Sequence, residues 1–87
     1  MQIKVNIVSP GNVLYEGNVA LLVLPGKEGE LGIMHMHENA IIQLTNGRIR
    51  IFATAQNLNN TEPDYALDIV SGYAHVTGMA CSVIVNV

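Results

Sequence analysis

The sequence predicts an all-β fold, a sandwich or barrel built from many short strands. Several short segments alternate apolar and polar residues, which is the period-2 pattern of half-buried strands. Glycine and proline separate these segments at short intervals, and no stretch shows a convincing helical periodicity. The 87 residues contain no internal repeat, low-complexity tract or linker. We therefore expect residues 1–87 to form a single domain.

The first third of the chain predicts three strands. Apolar and polar residues alternate over residues 3–7, which favours a strand with one buried face. Two apolar runs follow at 13–16 and 19–24, and Gly17-Asn18 between them predicts a hairpin-type break. Residues 25–29 contain a proline and two glycines and predict the first substantial loop.

The rest of the chain continues the pattern. Asn46-Gly47 separates apolar runs at 40–44 and 48–54 and predicts a hairpin, because Asn-Gly favours a tight two-residue turn. Arg48 and Arg50 alternate with isoleucines, so we expect one face of that strand to lie in water. An exposed polar loop is predicted at 56–64, and the remaining strands are predicted at 65–71, 73–77 and 79–87.

The composition indicates that a partner covers part of the surface. Only 13% of the residues are charged, whereas a typical soluble domain has about 25%. The mean hydropathy is +0.33, and 49% of the residues are hydrophobic. Contiguous exposed apolar surface normally marks an interaction site, so these values favour a protein-binding domain.

Charge and segment length exclude several other classes. The net charge is −3, and the four basic residues are too scattered for nucleic acid or anionic lipid: Lys4, Lys27, Arg48 and Arg50. No apolar run approaches the roughly 20 residues of a membrane helix. A strand pattern follows Met1 at once, so we expect no signal sequence. Cys81 lies in an apolar run and predicts a buried, unreactive thiol in a reducing, cytoplasmic compartment.

Three histidines offer a metal hypothesis. His35 and His37 would point to the same face of a strand, with His75 as a distant third ligand. Zinc sites use three or four protein ligands, and no carboxylate or cysteine is gathered nearby in the sequence. We therefore favour surface or interface histidines and predict no metal, although a metal-dependent enzyme is a third hypothesis.

The acidic residues Glu28, Glu30 and Glu38 offer a catalytic hypothesis. Catalytic carboxylates need a cleft that shifts their pKa, whereas Glu28 and Glu30 flank a glycine in a predicted exposed loop. Charge on such a loop favours docking to a partner. The glycines at 26, 29 and 32 lack the Gly-Lys-Ser/Thr ending of a phosphate-binding loop. We predict that the chain is not an enzyme and binds no cofactor.

One stretch carries a specific resemblance to a known family. Residues 28–33 read Glu-Gly-Glu-Leu-Gly-Ile and are followed by His37; Leu-Tyr-Glu-Gly precedes them at 14–17. This pattern resembles the amino-terminal half of the ATP synthase epsilon subunit, which carries Leu-Tyr/Phe-x-Gly and then Pro-x-x-x-Gly-Glu-Leu-Gly-Ile before a histidine. Residues 46–51 and 70–76 resemble later strands of that family. The resemblance therefore covers nearly the whole chain.

The resemblance implies a fold and a role. The fold is a two-sheet β-sandwich of about ten short strands. The role is that of a non-catalytic subunit of the rotating central stalk, which couples c-ring rotation to the gamma subunit during proton-driven ATP synthesis. Its location is peripheral, without direct insertion into lipid, on the cytoplasmic face of a bacterial inner (or thylakoid-like) membrane.

By positional match, the resemblance also assigns contact residues. Those facing the c-ring are Glu28, Gly29, Glu30 and Leu31. Those facing gamma are Ser9, His37, Ile42, Val70 and His75.

Two departures from the family pattern carry further expectations. Residues 34–39 stand where the family has a Pro-Gly-His-Ala-Pro stretch, so we expect that loop to differ in shape. The sequence stops at Val87, about where the family's sandwich ends, and the family's two-helix carboxy-terminal arm is absent from it. Since that arm is associated with ATP binding and inhibition of hydrolysis, we expect neither from this chain. The main alternative is a generic β-sandwich adaptor outside the ATP synthase, which binding to gamma would exclude.

Overall fold

The all-β prediction is confirmed. The computed structural model describes residues 2–35, 38–56 and 62–87, and these residues form nine strands. The strands are β1 (Ile3–Ser9), β2 (Asn12–Val19), β3 (Leu21–Gly26), β4 (Gly29–Ile33), β5 (Ala40–Leu44), β6 (Gly47–Phe52), β7 (Tyr65–Ile69), β8 (Ser71–Thr77) and β9 (Ala80–Asn86). No helix within the described ranges is long and apolar enough to cross a membrane.

The strands form one continuous sheet that curls over its core. They pair in the order β2-β1-β9-β8-β5-β3-β6-β7, and β4 pairs with β3 outside this path. The pairing of β1 with β9 is parallel, whereas the other pairs are antiparallel. We call β2, β1, β9, β8 and β5 the first half of the sheet, and β4, β3, β6 and β7 the second half. The two halves meet where Gly26 pairs with Leu44, so they belong to one sheet.

The core consists of apolar side chains from alternate strand positions. In β1, Ile3, Val5 and Ile7 are fully buried while Lys4 is exposed, as the period-2 pattern predicts. No polar or charged residue is buried in the described part of the chain. Burial of one such aliphatic side chain stabilises the fold by roughly 1.5–3 kcal/mol. Cys81 belongs to this cluster and is 1% exposed, so its predicted burial is confirmed.

The strand β4 was not predicted. The expected loop at 25–29 shrinks to the turn Lys27-Glu28, because Pro25 and Gly26 complete β3 and Gly29 already begins β4 with φ +132°. Two glycines among five residues lower the local strand propensity of β4. Pairing with β3 along the whole of β4 supplies the stabilisation that the local sequence lacks.

The break predicted at Gly17-Asn18 is wrong. β2 runs through both residues, which pair with Val5 and Lys4 of β1. The chain leaves the first half of the sheet at Ala20, whose N–H donates a hydrogen bond of 3.0 Å to the carbonyl of Phe52. β2 and β3 lie in different halves of the sheet and do not form a hairpin with each other. The end of β2 is therefore set by its pairing with β1 and not by the local turn propensity of Gly17-Asn18.

The hairpin predicted at Asn46-Gly47 is also wrong. β5 pairs with β8, β6 pairs with β7, and β3 lies between β5 and β6 in the strand order. The N–H of Thr45 donates to the carbonyl of Pro25 at 2.9 Å. A Cβ atom at Gly47 would stand 2.7 Å from Cβ of Pro25. Gly47 therefore admits the close approach of Pro25, and its φ is not the positive value that a tight Asn-Gly hairpin turn requires.

Candidate functional site

The first half of the sheet exposes a row of mostly apolar side chains. The register aligns Gln43, Tyr73, Ile84, Val8 and Val13 across β5, β8, β9, β1 and β2. Tyr73 is 57% exposed, Ile84 61% and Val13 66%, which is unusual for side chains of this size. The row crosses all five strands of the first half and forms a continuous strip.

A second row lies beside the first. It consists of Ile41, His75, Ser82, Asn6 and Glu16, again one residue from each strand. Ile41 is 76% exposed. We call the two rows together the outer face. Among the ten residues of the outer face, Glu16 is the only acidic residue, and there is no lysine or arginine. This face therefore accounts for part of the low charge content. An apolar strip beside hydrogen-bonding groups is typical of a protein–protein contact.

Tyr73 and Ile84 were not among the residues predicted to contact a partner. A signal was present, because Val83, Ile84 and Val85 are consecutive apolar residues in a strand that has one face in the core. A strand with one wet face would place a polar residue at position 84. Apolar residues on both faces of such a strand are therefore a sequence signal for an exposed apolar surface opposite the core.

The residues predicted to face the c-ring lie at the turn between β3 and β4. Glu28, Gly29 and Glu30 are exposed, whereas Leu31 is half-buried and packs against the core. We call residues 27–30 the tip. The tip presents two carboxylates and one lysine to solvent, while Leu31 contributes mainly to folding.

Glu30 is ion-paired within the chain. Its Oε1 accepts a hydrogen bond of 2.9 Å from Nη2 of Arg50. In the register, Glu30 is opposite Pro25 and Arg50 is opposite Val23, so the ion pair crosses over β3. The side chains are 61% and 32% exposed, and a pair so exposed is worth under ~1 kcal/mol. Local sequence patterns could not indicate this partner, because the two residues are 20 positions apart.

A second ion pair lies on the neighbouring strands. Nε of Arg48 donates to Oδ1 of Asp68 at 2.9 Å, and the two residues are register partners. This hydrogen bond, reinforced by the opposite charges, lowers the pKa of Asp68 and raises the pKa of Arg48. Both arginines of β6 are therefore paired with a carboxylate.

The residues predicted to face gamma do not share one surface. His75 lies on the outer face, and Ile42 points to the opposite side of the sheet, half-buried against the core. Ser9 ends β1 and Val70 precedes β8, so the register places both at the same end of the first half. Val70 is 58% exposed. His37 lies outside the described residues, so the structure gives it no position.

The metal hypothesis finds no support in the described ranges. They contain no group of three or more His, Cys, Asp or Glu side chains that could hold an ion. His35 follows β4 and His75 lies on β8, and His37 is outside these ranges. Burial raises the pKa of Cys81 to about 11, so this thiol is protonated at neutral pH and is a poor nucleophile.

A groove of about 660 Å³ separates the β3–β4 hairpin from β5. It is lined by residues 26–31 of the hairpin and residues 41–43 of β5. The charged residues of this lining are Lys27, Glu28 and Glu30, and all three are exposed.

Comparison with known proteins identifies a family model that matches residues 2–87, described as ATP synthase, Delta/Epsilon chain, beta-sandwich domain. The chain is 34% identical over 84 residues to the ATP synthase epsilon chain of Latilactobacillus sakei, with 97% of this chain and 55% of that protein covered. It is 38% identical over 76 residues to the ATP synthase epsilon chain of Helicobacter acinonychis, with 87% and 56% covered. The chain thus spans a little over half the length of these relatives.

Solved structures show the same fold. A chain in the mitochondrial ATP synthase of Euglena gracilis, in a structure of OSCP, F1 and c-ring, superposes with a TM-score of 0.77 at 21% identity. The match covers 97% of this chain and 50% of that one. A chain in the central stalk and c-ring structure from Tetrahymena thermophila gives a TM-score of 0.74 at 17% identity, with 100% and 65% covered.

Proposed function

The chain belongs to the ATP synthase delta/epsilon chain β-sandwich family, and we propose that it acts as a non-catalytic subunit of the rotating central stalk. In this role it couples rotation of the c-ring to the gamma subunit during proton-driven ATP synthesis. The proposal concerns the part that this β-sandwich plays, since the chain spans little more than half of its relatives.

The outer face is the observation that carries the proposal. A coupling subunit transmits torque through a packed contact, and Tyr73, Ile84 and Ile41 are each more than half exposed on one surface. Aromatic and aliphatic side chains without competing charge are typical of the centre of a stable interface. We assign gamma to this face, with His75 inside the contact and with Ser9 and Val70 at its end.

The tip supports the second contact of the proposed role. Glu28 and Glu30 are exposed at one end of the domain, where they are available to polar or basic loops of the c-ring. The ion pair with Arg50 holds Glu30 in place without covering it, since 61% of its side chain remains exposed. The tip lies on the β3–β4 hairpin in the second half of the sheet, whereas the outer face lies on the strands of the first half, so the two contacts use different strands.

The proposed location follows from these partners. The domain is peripheral to the membrane and attached through the c-ring, on the cytoplasmic face of a bacterial inner (or thylakoid-like) membrane. A generic adaptor outside the ATP synthase is disfavoured, because the family and the relatives carry the ATP synthase name.

Co-expression with a gamma subunit from the same source tests the proposal. We expect the two chains to co-elute as a one-to-one complex in size-exclusion chromatography at micromolar concentration. Separate elution of two folded chains would overturn the proposed role and would restore the adaptor hypothesis.

A further inference from the structure

One edge of β5 is only partly paired. All five residues of β5 pair with β8 along the other edge. Toward β3, Leu44 pairs with Gly26, and the N–H of Lys27 donates to the carbonyl of Gln43 at 2.8 Å. Residues 40–42 have no strand partner on that side among the residues that the structure describes.

The unpaired part of this edge directs backbone groups into the groove. Alternate residues of a strand direct their N–H and C=O groups toward the same edge. Gln43 directs its carbonyl toward β3, so Ile41 directs its own N–H and C=O to the same side. The chain of β3 has already turned away at Lys27, and the groove begins there. Within the described ranges these two groups of Ile41 have no backbone partner, so one wall of the groove offers a donor and an acceptor.

The remaining walls suit an apolar side chain. Ile42 and Leu31 are half-buried at the base of the groove and pack against the core. Glu28 and Glu30 stand on the opposite rim. An extended polypeptide fits this combination, because its backbone can pair with Ile41 while alternate side chains enter the groove. A helix fits it less well, because its own backbone groups are already bonded internally.

We propose that an extended segment of the gamma chain occupies this groove and pairs with Ile41, in line with β3. The choice of gamma rests on the proposed function and on continuity of the surface. Ile41 and Gln43 belong both to the outer face and to the groove lining, so a chain that covers the outer face reaches the groove directly. Strand addition would also cover the free edge, which would otherwise be open to self-association.

Amide hydrogen exchange tests the proposal in the complex of this chain with gamma. In the free chain, we expect the amide of Ile41 to exchange quickly, because no described residue pairs with it on that edge. In the complex, we expect its exchange to slow by more than about tenfold. The amide of Ile42 is an internal control, because it faces β8 and its exchange should change much less.

A pair of variants gives an independent test. Ile41→Pro removes the N–H on the groove side and leaves the bonds between β5 and β8, since proline is tolerated on strand edges. Ile41→Ala also removes the isoleucine side chain from the outer face but keeps the N–H. We expect Ile41→Pro to bind gamma about tenfold more weakly than Ile41→Ala does. Circular dichroism shows whether each variant is folded. If the proline variant is unfolded, the exchange measurement on the wild-type chain still tests the proposal.

The outcomes separate this inference from the proposed function. A complex in which the Ile41 amide exchanges as fast as in the free chain would overturn strand addition and leave the stalk role intact. Failure of gamma to bind at all would overturn both. Slow exchange of Ile41 in a dimer of this chain alone would also overturn the inference, because a second copy would then be the occupant.

Discussion

Tyr15 and Tyr65 form a contact between the two terminal strands of the sheet. Their ring centroids lie 5.1 Å apart with planes inclined by 42°, and β2 and β7 are the terminal strands of the path. The hydroxyl of Tyr65 donates a hydrogen bond of 3.2 Å to the carbonyl of Leu14. This contact holds the curled sheet closed on the side where the described residues form no backbone ladder between its two halves.

Removal of the Tyr65 hydroxyl should have a small, measurable effect. We expect Tyr65→Phe to lower the free energy of unfolding by about 0.5–1.5 kcal/mol, because one part-buried hydrogen bond is lost. Tyr65→Ala should cost about 2–3 kcal/mol, since the ring contact is lost as well. Urea unfolding measures both. Tyr73→Phe, at an exposed ring, is the control and should change stability by less than about 0.5 kcal/mol.

Gly72 is required by close approach of a neighbouring strand. A Cβ at Gly72 would stand 2.4 Å from the carbonyl oxygen of Ile84, a backbone atom of β9 that cannot move independently. We expect Gly72→Ala to destabilise the domain by more than about 2 kcal/mol or to prevent folding. Gly78→Ala is the matched control, because nothing lies within 4 Å of its Cβ position. Equal stability of the two variants in urea unfolding would refute this packing.

The buried thiol of Cys81 should make stability depend on pH in the alkaline range. Burial raises the pKa of Cys81 from 9.0 to about 11, so between these values the unfolded chain loses a proton that the folded chain retains. The contribution is therefore complete below pH 9 and is lost as the pH rises toward 11. We expect the stability difference between the wild type and Cys81→Ala to shrink over that range. A difference that stays constant from pH 8 to 11 would show that the thiol titrates normally.

Glu30→Gln should separate stability from coupling. We expect the free energy of unfolding to fall by less than about 1 kcal/mol, because the ion pair with Arg50 is largely exposed. In reconstituted ATP synthase, we expect weaker coupling of ATP hydrolysis to proton pumping, since the tip contact loses a charge. Glu28→Gln is the comparison variant, because Glu28 is the neighbouring carboxylate and is not the one paired with Arg50 in this ion pair. Normal coupling with Glu30→Gln would count against contact of Glu30 with the c-ring.

Local sequence patterns were sufficient to predict β1, β5 and the burial of Cys81. The alternation in β1 and the apolar run of β5 gave both strands nearly at their observed bounds. The apolar run around Cys81 correctly indicated burial. In each case the information lies in consecutive residues, because side chains alternate between the core and the opposite face.

Features that depend on distant residues were missed. Gly17-Asn18 and Asn46-Gly47 favour turns locally, yet pairing with β1 and the approach of Pro25 override them. The partner of Glu30 lies on another strand, and the rows of the outer face exist only once β1 pairs in parallel with β9. The register between strands far apart in sequence cannot be read from local patterns.

The affinity for gamma of two matched variants tests the central claim most directly. Ile84→Asp places a charge at the centre of the outer face, and Ala66→Asp places the same charge at an exposed position of β7 in the second half. Titration calorimetry should show that Ala66→Asp binds gamma as the wild type does, while Ile84→Asp binds at least about tenfold more weakly. Wild-type affinity of a folded Ile84→Asp variant would contradict docking of gamma on the outer face.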